Sequence, residues 1–112
     1  MRIFQKKYNL TLAPTTPQTT TALSLAHINQ YSIQTTNTTE LKVTVYGSND
    51  PTINAMEVSA SEIKHWTIVK QEEALATGSI ISFVDVAYNW VKIKVESTAG
   101  ESIVVQVVGK GV

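Results

Sequence analysis

The sequence predicts an all-β protein: a two-sheet antiparallel sandwich of about eight strands with jelly-roll-like topology, for which an immunoglobulin-like Greek key is the alternative. Two observations lead to this prediction. The 15 Thr, 13 Val and 10 Ile residues make 38 of the 112 residues β-branched, a side-chain shape that suits a pleated strand better than a helix. In addition, short alternations of apolar and polar residues recur at roughly regular spacing between turn residues.

In the first half of the chain the alternation predicts four strands, at residues 3–12, 22–26, 28–34 and 41–46. Pro14 and Pro17 bracket a threonine-rich connection after the first strand, because proline donates no hydrogen bond to a sheet. The run Gly47-Ser48-Asn49-Asp50-Pro51 consists of residues that favour turns, and it ends the fourth strand. Residues 1–112 are interpreted as one domain, in which residues 1–20 form either an arm or an edge strand.

The second half is less regular until its last two strands. Residues 52–63 fit either a single helical turn or a long loop, since Ser59 and Glu62 have the spacing of a capping box. Further strands are predicted at 64–70 and 79–86. Residues 91–95 and 103–108 alternate most cleanly, and the turn between them predicts a C-terminal hairpin with one buried face.

Composition excludes several classes of function. Nine Lys and Arg residues balance nine Asp and Glu residues, so no net charge would attract nucleic acid or an anionic membrane. The absence of cysteine excludes a disulfide scaffold, a thiolate zinc site and a cysteine nucleophile. No apolar run approaches the roughly 18 residues of a membrane span, and no segment has the pattern of a signal peptide. We therefore expect neither a nucleic-acid nor a membrane partner.

The sequence contains no recognisable catalytic or metal-binding constellation. His27 and His65 lie 38 positions apart, far from the spacing of histidine ligands on one element. Glu72 and Glu73 are adjacent, so in an extended chain their carboxylates point to opposite sides. No serine lies in a nucleophile elbow, and the five glycines form no phosphate-binding loop. The prediction is a protein that is not an enzyme and that uses no metal or cofactor.

The distribution of charge points to a protein contact. Between Lys7 and Glu40, 32 residues include no Lys, Arg, Asp or Glu. This stretch fits either a threonine-covered solvent face or a surface that packs against another protein, since the centres of interfaces are depleted in charge. A disordered, low-complexity tract fits less well, because its Leu, Ile and Tyr residues still alternate. The basic residues Arg2, Lys6 and Lys7 alternate with the aromatic residues Phe4 and Tyr8, which could anchor a contact. In the alternative assignment Phe4 and Tyr8 lie in the core of the sandwich as part of its first strand. The candidate contact residues are Arg2, Phe4, Lys6, Lys7, Tyr8 and Tyr31.

Carbohydrate binding is an alternative prediction, because an exposed aromatic ring on a β-sandwich can stack on a sugar. The candidates are Trp90, Tyr88 and Tyr46. Aromatic side chains serve packing more often than ligand binding. In that structural interpretation Trp66 fills the core, and Trp90 packs at a sheet edge or an interface.

Several segments occur in an order that resembles a known class of protein. They are 45–51 (VYGSNDP), Trp66, 86–95 (VAYNWVKIKV) and 108–112 (VGKGV). Together they resemble the small β-sandwich virion proteins of tailed bacteriophages, in which a strand ends in Gly-Ser-Asn-Asp, a Trp opens a later strand, and an aromatic-Trp-Val-basic strand precedes a glycine-rich turn. A weaker similarity links the Ser-Asn-Asp turn and the strand after Tyr88 to discoidin-like galactose-binding domains.

The phage resemblance implies a capsid decoration or cement protein. Such a protein binds the lattice of the major capsid protein, stabilises the shell and lies on the capsid surface of the virion after synthesis in the host cytoplasm. A homodimer or homotrimer is the expected state on the particle. The alternative role is a tail, fibre or baseplate module that binds host surface carbohydrate. Against it, Trp66 lies sixteen residues beyond Asp50, whereas in discoidin-like binders the Trp usually follows that turn within a few residues.

Overall fold

The computed structural model describes residues 3–111, which form ten strands and one 3₁₀ turn. The strands are β1 (Ile3–Leu12), β2 (Gln18–Thr19), β3 (Ala22–Ser24), β4 (Gln30–Thr36), β5 (Leu41–Ser48), β6 (Glu57–Val58), β7 (Thr67–Leu75), β8 (Ile80–Phe83), β9 (Trp90–Glu96) and β10 (Glu101–Lys110). The 3₁₀ turn is Ala60–Glu62, so residues 52–63 contain the single helical turn rather than only a loop. No helix within residues 3–111 has the length and hydrophobicity to cross a membrane.

The strands form two antiparallel sheets, which confirms the predicted all-β sandwich. The smaller sheet has the order β1-β10-β4-β8, and the larger has the order β6-β3-β9-β5-β7 with β2 also beside β9. The first strand pairs with the last, whereas the first strand of an immunoglobulin sandwich pairs with the second. The chain also crosses repeatedly between the sheets. This is the jelly-roll arrangement, and the immunoglobulin-like alternative is set aside.

The core lies between the two sheets, because alternate residues of every strand point inward. Of its nine fully buried aliphatic side chains, three come from the smaller sheet and six from the larger one. They are Ile33, Leu41, Val43, Val45, Val91, Ile93, Val95, Val105 and Val107. The abundance of β-branched residues noted in the sequence is therefore concentrated where stiff side chains pack well.

The predicted C-terminal hairpin is wrong, although both of its strands exist. β9 pairs with β3 and β5 in the larger sheet, while β10 pairs with β1 and β4 in the smaller one. An alternating pattern identifies a half-buried strand without naming its partner, so it fits a connection between sheets equally well. In this connection the Gly100 amide donates to the Ser97 hydroxyl (3.2 Å), and Gly100 takes a left-handed φ of 76°.

The seventh strand begins and ends later than the predicted 64–70. Thr67–Leu75 is an edge strand of the larger sheet, and Leu75 is its one buried side chain. Glu72 and Glu73 therefore belong to this strand, beyond its predicted end at residue 70. An edge strand accommodates charged side chains because one of its sides faces water, and such charges also discourage unwanted pairing with other chains.

Residues 49–66, which we call the cap and which include β6, cover the Trp90 side chain on the outer face of the larger sheet. Trp90 points outward from β9 and is nevertheless fully buried, in a small cluster with Ala22 of β3 and Ile63 of the cap. Val58 and Trp66 border this cluster. The Trp90 indole N–H points to the Pro51 carbonyl at 3.4 Å. The protein thus has a second, smaller apolar core outside the sandwich.

Candidate protein interface

Strand β1 divides the predicted contact residues between two sides of the smaller sheet. Successive side chains of a strand point to opposite faces. Lys7 points outward and is exposed, whereas Phe4, Lys6 and Tyr8 point toward the other sheet. Arg2 lies outside the described residues. The predicted contact surface of basic and aromatic side chains is therefore not one surface, and this part of the prediction is corrected.

Phe4 and Tyr8 belong to the interior. Tyr8 is 9% exposed, and its hydroxyl shares a 2.8 Å hydrogen bond with the hydroxyl of Thr21. Burial raises the pKa of Tyr8. Phe4 lies against Gly109, where a Cβ atom would stand 2.1 Å from the ring. The structure thus agrees with the alternative assignment, in which both aromatics pack in the protein's own core.

Lys6 connects the edges of the two sheets. Its ammonium lies 2.8 Å from the Glu57 carboxylate of β6 and 5.2 Å from the centre of the Tyr8 ring. The hydrogen bond to Glu57 raises the pKa of Lys6, and hydrogen bonds from Lys6 and from the Thr21 hydroxyl lower the pKa of Glu57. An inward-pointing charge of this kind is a common way to protect an edge strand. The Lys6 ammonium is therefore already paired with groups of its own chain.

Tyr31, the last predicted contact residue, is a core residue with 3% exposure. Its ring stacks on Phe83 with centroids 4.5 Å apart. Its hydroxyl shares a 2.5 Å hydrogen bond with the hydroxyl of Tyr88, and burial raises the pKa of Tyr31. The prediction of Tyr31 as a contact residue is corrected, because an inward position in β4 leaves almost no surface for a partner.

The outward side chains of β1, β10, β4 and β8 form what we call the open face. In the observed register they lie in rows across the sheet, one of which is Lys7, Gln106, Gln34 and Ile80. The remaining members are Ile3, Gln5, Asn9, Thr11, Gln30, Ser32, Thr36, Ser82, Ser102, Val104, Val108 and Lys110. No segment of the described chain packs over this face in the way that the cap covers the larger sheet.

The open face is almost free of charge. Among its described residues, Lys7 and Lys110 carry charge and none is a carboxylate. Ile80 is 60% exposed and Ile3 is 57% exposed, and amide and hydroxyl side chains lie between them. A shallow groove of about 400 Å³ runs through the centre, bordered by Gln5, Gln34 and Gln106 among others. Apolar side chains separated by neutral hydrogen-bonding groups are typical of the centre of a protein interface.

Of the three aromatic residues proposed to stack on sugar, Trp90 is buried and Tyr46 is in contact with a lysine. Trp90 has no exposed surface, so its predicted stacking role is wrong. The Lys92 ammonium lies 5.0 Å from the Tyr46 ring centre and 4.6 Å from that of Trp66, so it contacts both rings. Burial, with a smaller contribution from Lys94, lowers the pKa of Lys92. The expected roles of the tryptophans are reversed, since Trp66 is half-buried and Trp90 is fully buried.

The third aromatic candidate, Tyr88, is half-buried and borders a cavity at one end of the sandwich.

Sequence reasoning missed the open face as a unit. Its glutamines lie as far as 101 positions apart in the chain, from Gln5 to Gln106. The sequence does show which residues of each strand are polar and therefore point outward. It does not show which of them lie side by side, because the rows depend on how the strands pair.

No protein-family model matches the chain, and no curated protein matches it in sequence. Its fold is similar to that of several solved structures. The SPBc2 prophage-derived protein YomS is 14% identical, with 96% of each chain covered and a TM-score of 0.55. The Yersinia pseudotuberculosis-derived mitogen YPM is 8% identical over 93% of this chain and 84% of that one, with a TM-score of 0.57. PirA is 11% identical over 93% of each chain, with a TM-score of 0.50. At these identities the likeness shows a common fold.

Proposed function

We propose that this chain is a non-enzymatic structural protein of a tailed-phage virion, which decorates and stabilises the capsid by binding the lattice of the major capsid protein through the open face. A homodimer or homotrimer on the capsid surface is part of the proposal. The observation that supports it best is the open face itself, a sheet surface that residues 3–111 leave uncovered and that presents exposed isoleucines, neutral amides and two lysines.

The size of the open face favours a repeated contact over an isolated one. Four strands about 4.8 Å apart, with faces about eight residues long, make a patch of roughly 19 by 26 Å, on the order of 500 Å². A stable pairwise interface buries about 800 Å² on each partner. A smaller contact suffices when many copies bind one lattice, because linked contacts reinforce each other.

The charge balance also suits a crowded array. The formal net charge of the chain is zero, so neighbouring copies do not repel each other strongly. Lys7 and Lys110 on the open face have no described carboxylate beside them on that face. We therefore expect the complementary surface of the partner to present carboxylates at the margin of a largely neutral patch.

The fold and the sequence resemblance agree with this role. The likeness to the prophage-derived protein extends over 96% of both chains and shows that a phage-encoded protein has this architecture. The order of motifs in residues 45–112 resembles virion proteins independently of that comparison. The alternative is a tail, fibre or baseplate module that stacks host sugar on Trp90, Tyr88 or Tyr46. It is weakened because the Trp90 ring is enclosed and the Lys92 ammonium lies against the Tyr46 ring.

The test uses purified protein added to capsids that lack it, with bound protein quantified after sedimentation. Wild-type protein is expected to bind saturably and to raise the temperature at which the capsids disrupt. Ile80→Glu places a carboxylate in the open face and is expected to weaken binding at least tenfold. Ile68→Glu is the matched control, since Ile68 is 51% exposed on the larger sheet; it is expected to bind like the wild type.

Two outcomes contradict the proposal. One is the absence of saturable binding by the wild-type protein. The other is an equal loss of binding in the Ile68→Glu and Ile80→Glu variants, because that would place the contact elsewhere or show a general effect of added charge. Thermal unfolding of both variants verifies that they are folded.

A further inference from the structure

A cavity of about 480 Å³ lies at the end of the sandwich where β5 ends and β7 begins. Its volume falls within the range of small-molecule sites in proteins, roughly 300–1,000 Å³. The side chains that define it are Asn49, Asp50, His65, Thr67, Val69 and Tyr88. They come from the turn after β5, the end of the cap, the start of β7 and the segment before β9. This cavity is separate from the open face.

Hydrogen bonds within the chain hold one wall of the cavity in place. The Asn89 side-chain amide donates to the carbonyls of Asn49 (3.1 Å) and Asp50 (2.9 Å). The Ser48 hydroxyl donates to the Lys64 carbonyl (2.5 Å), and the Lys64 amide donates to Asp50 Oδ2 (2.6 Å). The turn and the end of the cap are thereby tied together. A wall built before ligand binding reduces the entropy that binding would otherwise lose.

An aromatic ring forms part of the cavity surface. Tyr88 packs on Gly47 so closely that a Cβ atom there would stand 2.8 Å from the ring. The Tyr88 hydroxyl is held by Tyr31 at 2.5 Å, so the ring has a fixed orientation. Together with Val69 it gives the cavity an apolar side, and the turn residues give it a polar side.

Several polar groups at the cavity remain available. Within residues 3–111, no hydrogen bond engages the side chains of Asn49, His65 or Thr67, and Asp50 uses one of its two carboxylate oxygens. His65 has a left-handed φ of 60°, a conformation that residues other than glycine adopt rarely. Strained backbone of this type is found often at binding sites. The free groups include both hydrogen-bond donors and acceptors.

We propose that this cavity binds a neutral saccharide ring. A sugar has an apolar face that packs on an aromatic ring and hydroxyl groups that both donate and accept, and the cavity offers partners for both. Within residues 3–111 no Lys or Arg lines it, and Asp50 contributes negative charge, so a phosphate or another anion is disfavoured. The ring used is Tyr88 rather than Trp90 or Tyr46.

The test is a titration of ¹⁵N-labelled protein, followed by NMR, with D-galactose, D-glucose, N-acetyl-D-glucosamine and, in parallel, inorganic phosphate. At least one sugar is expected to cause saturable shifts, in the millimolar range, at residues 47–50, 65–69 and 88. His65→Gly removes the imidazole and is compatible with the positive φ; it is expected to weaken binding at least fivefold.

The matched control is His27→Gly. His27 is also exposed and also left-handed (φ 64°), but it lies away from this cavity, so the substitution is expected to leave sugar binding unchanged. Ile80→Glu, on the open face, is likewise expected to leave it unchanged. The proposal is overturned if no sugar gives saturable shifts, if the shifts map to another surface, if inorganic phosphate binds in preference, or if the two histidine variants behave alike.

Discussion

The two sheets of this sandwich differ in what covers their outer faces. The larger sheet presents Trp90 outward, and the chain covers that side chain with the cap. The smaller sheet presents glutamines, serines and isolated aliphatic residues, and the described chain leaves it open. A large aromatic ring in water is unfavourable, whereas single aliphatic side chains among polar ones are tolerated.

This difference separates stability from function. The covered face contains contacts that hold the fold together, so substitutions there should lower the free energy of unfolding. The open face makes few contacts within the chain, so substitutions there should affect a partner and leave folding unchanged. The expected effects below run from the largest to the smallest.

Trp90→Ala should destabilise the protein more than any of the substitutions that follow. It removes the centre of the apolar cluster beneath the cap, and burial of this kind predicts a loss of about 3–5 kcal/mol in the free energy of unfolding. Trp66→Ala is the control, because Trp66 borders the same cluster but is half-buried, and a smaller loss is expected. Denaturant unfolding measures both. A greater loss for Trp66→Ala would contradict the assignment of Trp90 as the buried centre.

Gly109→Ala should destabilise the smaller sheet from its inner side. The added methyl group would stand 2.1 Å from the Phe4 ring, and overpacking of this type lowers stability by about 1–3 kcal/mol. In a Phe4→Ala background the same substitution is expected to have a much smaller effect. A double-mutant cycle by denaturant unfolding gives the coupling. An absence of coupling would mean that β1 does not pack where the structure places it.

Glu101→Gln should alter how stability depends on pH. Burial acts to raise the pKa of Glu101, but the side-chain and backbone groups of Thr38 and Thr39 that donate to it outweigh burial and lower the pKa to about 2. A carboxylate with a lowered pKa contributes stability that is present above its ordinary pKa of 4.5 and is lost as the pH falls toward 2.

Thermal unfolding between pH 7 and pH 2 provides the measurement for this substitution. Glu101→Gln is expected to be less stable than the wild type at pH 7 and to approach it at pH 2. Glu73→Gln is the control, because the Glu73 carboxylate is 71% exposed and lies 3.8 Å from Lys42; exposed pairs of this kind contribute little. If both variants flatten the pH profile equally, the threonine contacts are not the cause.

Ile80→Glu should have the smallest effect on folding. Surface substitutions away from packed or strained positions change stability by about 0.5 kcal/mol or less. Ile80 is 60% exposed, so the Ile80→Glu variant should have the same midpoint of denaturant unfolding as the wild type. A loss as large as that of Gly109→Ala would show that the open face contributes to the fold, and the contrast between the two faces would fail.

Much of the secondary structure was predictable from local pattern. Residues 3–12 were predicted as the first strand and β1 is Ile3–Leu12, because alternation over ten residues leaves few other interpretations. The same alternation separates Lys7 from Tyr8, since adjacent side chains of a strand point to opposite faces. Six residues were predicted to form the interface. Among those that the structure describes, only Lys7 lies on the open face.

The sequence by itself determined the fold class and the inward half of most strands, because β-branched residues and period-two alternation are local properties. The tertiary structure alone decided which strands are partners. β9 and β10 lie close together in sequence yet belong to different sheets, and the Thr20 amide donates to the Ile93 carbonyl across more than seventy positions. Trp90 follows the same rule: its outward position is set by the strand, but its burial depends on a cap that folds back from residues 49–66. Pairing and covering depend on contacts between distant segments, which no local pattern records.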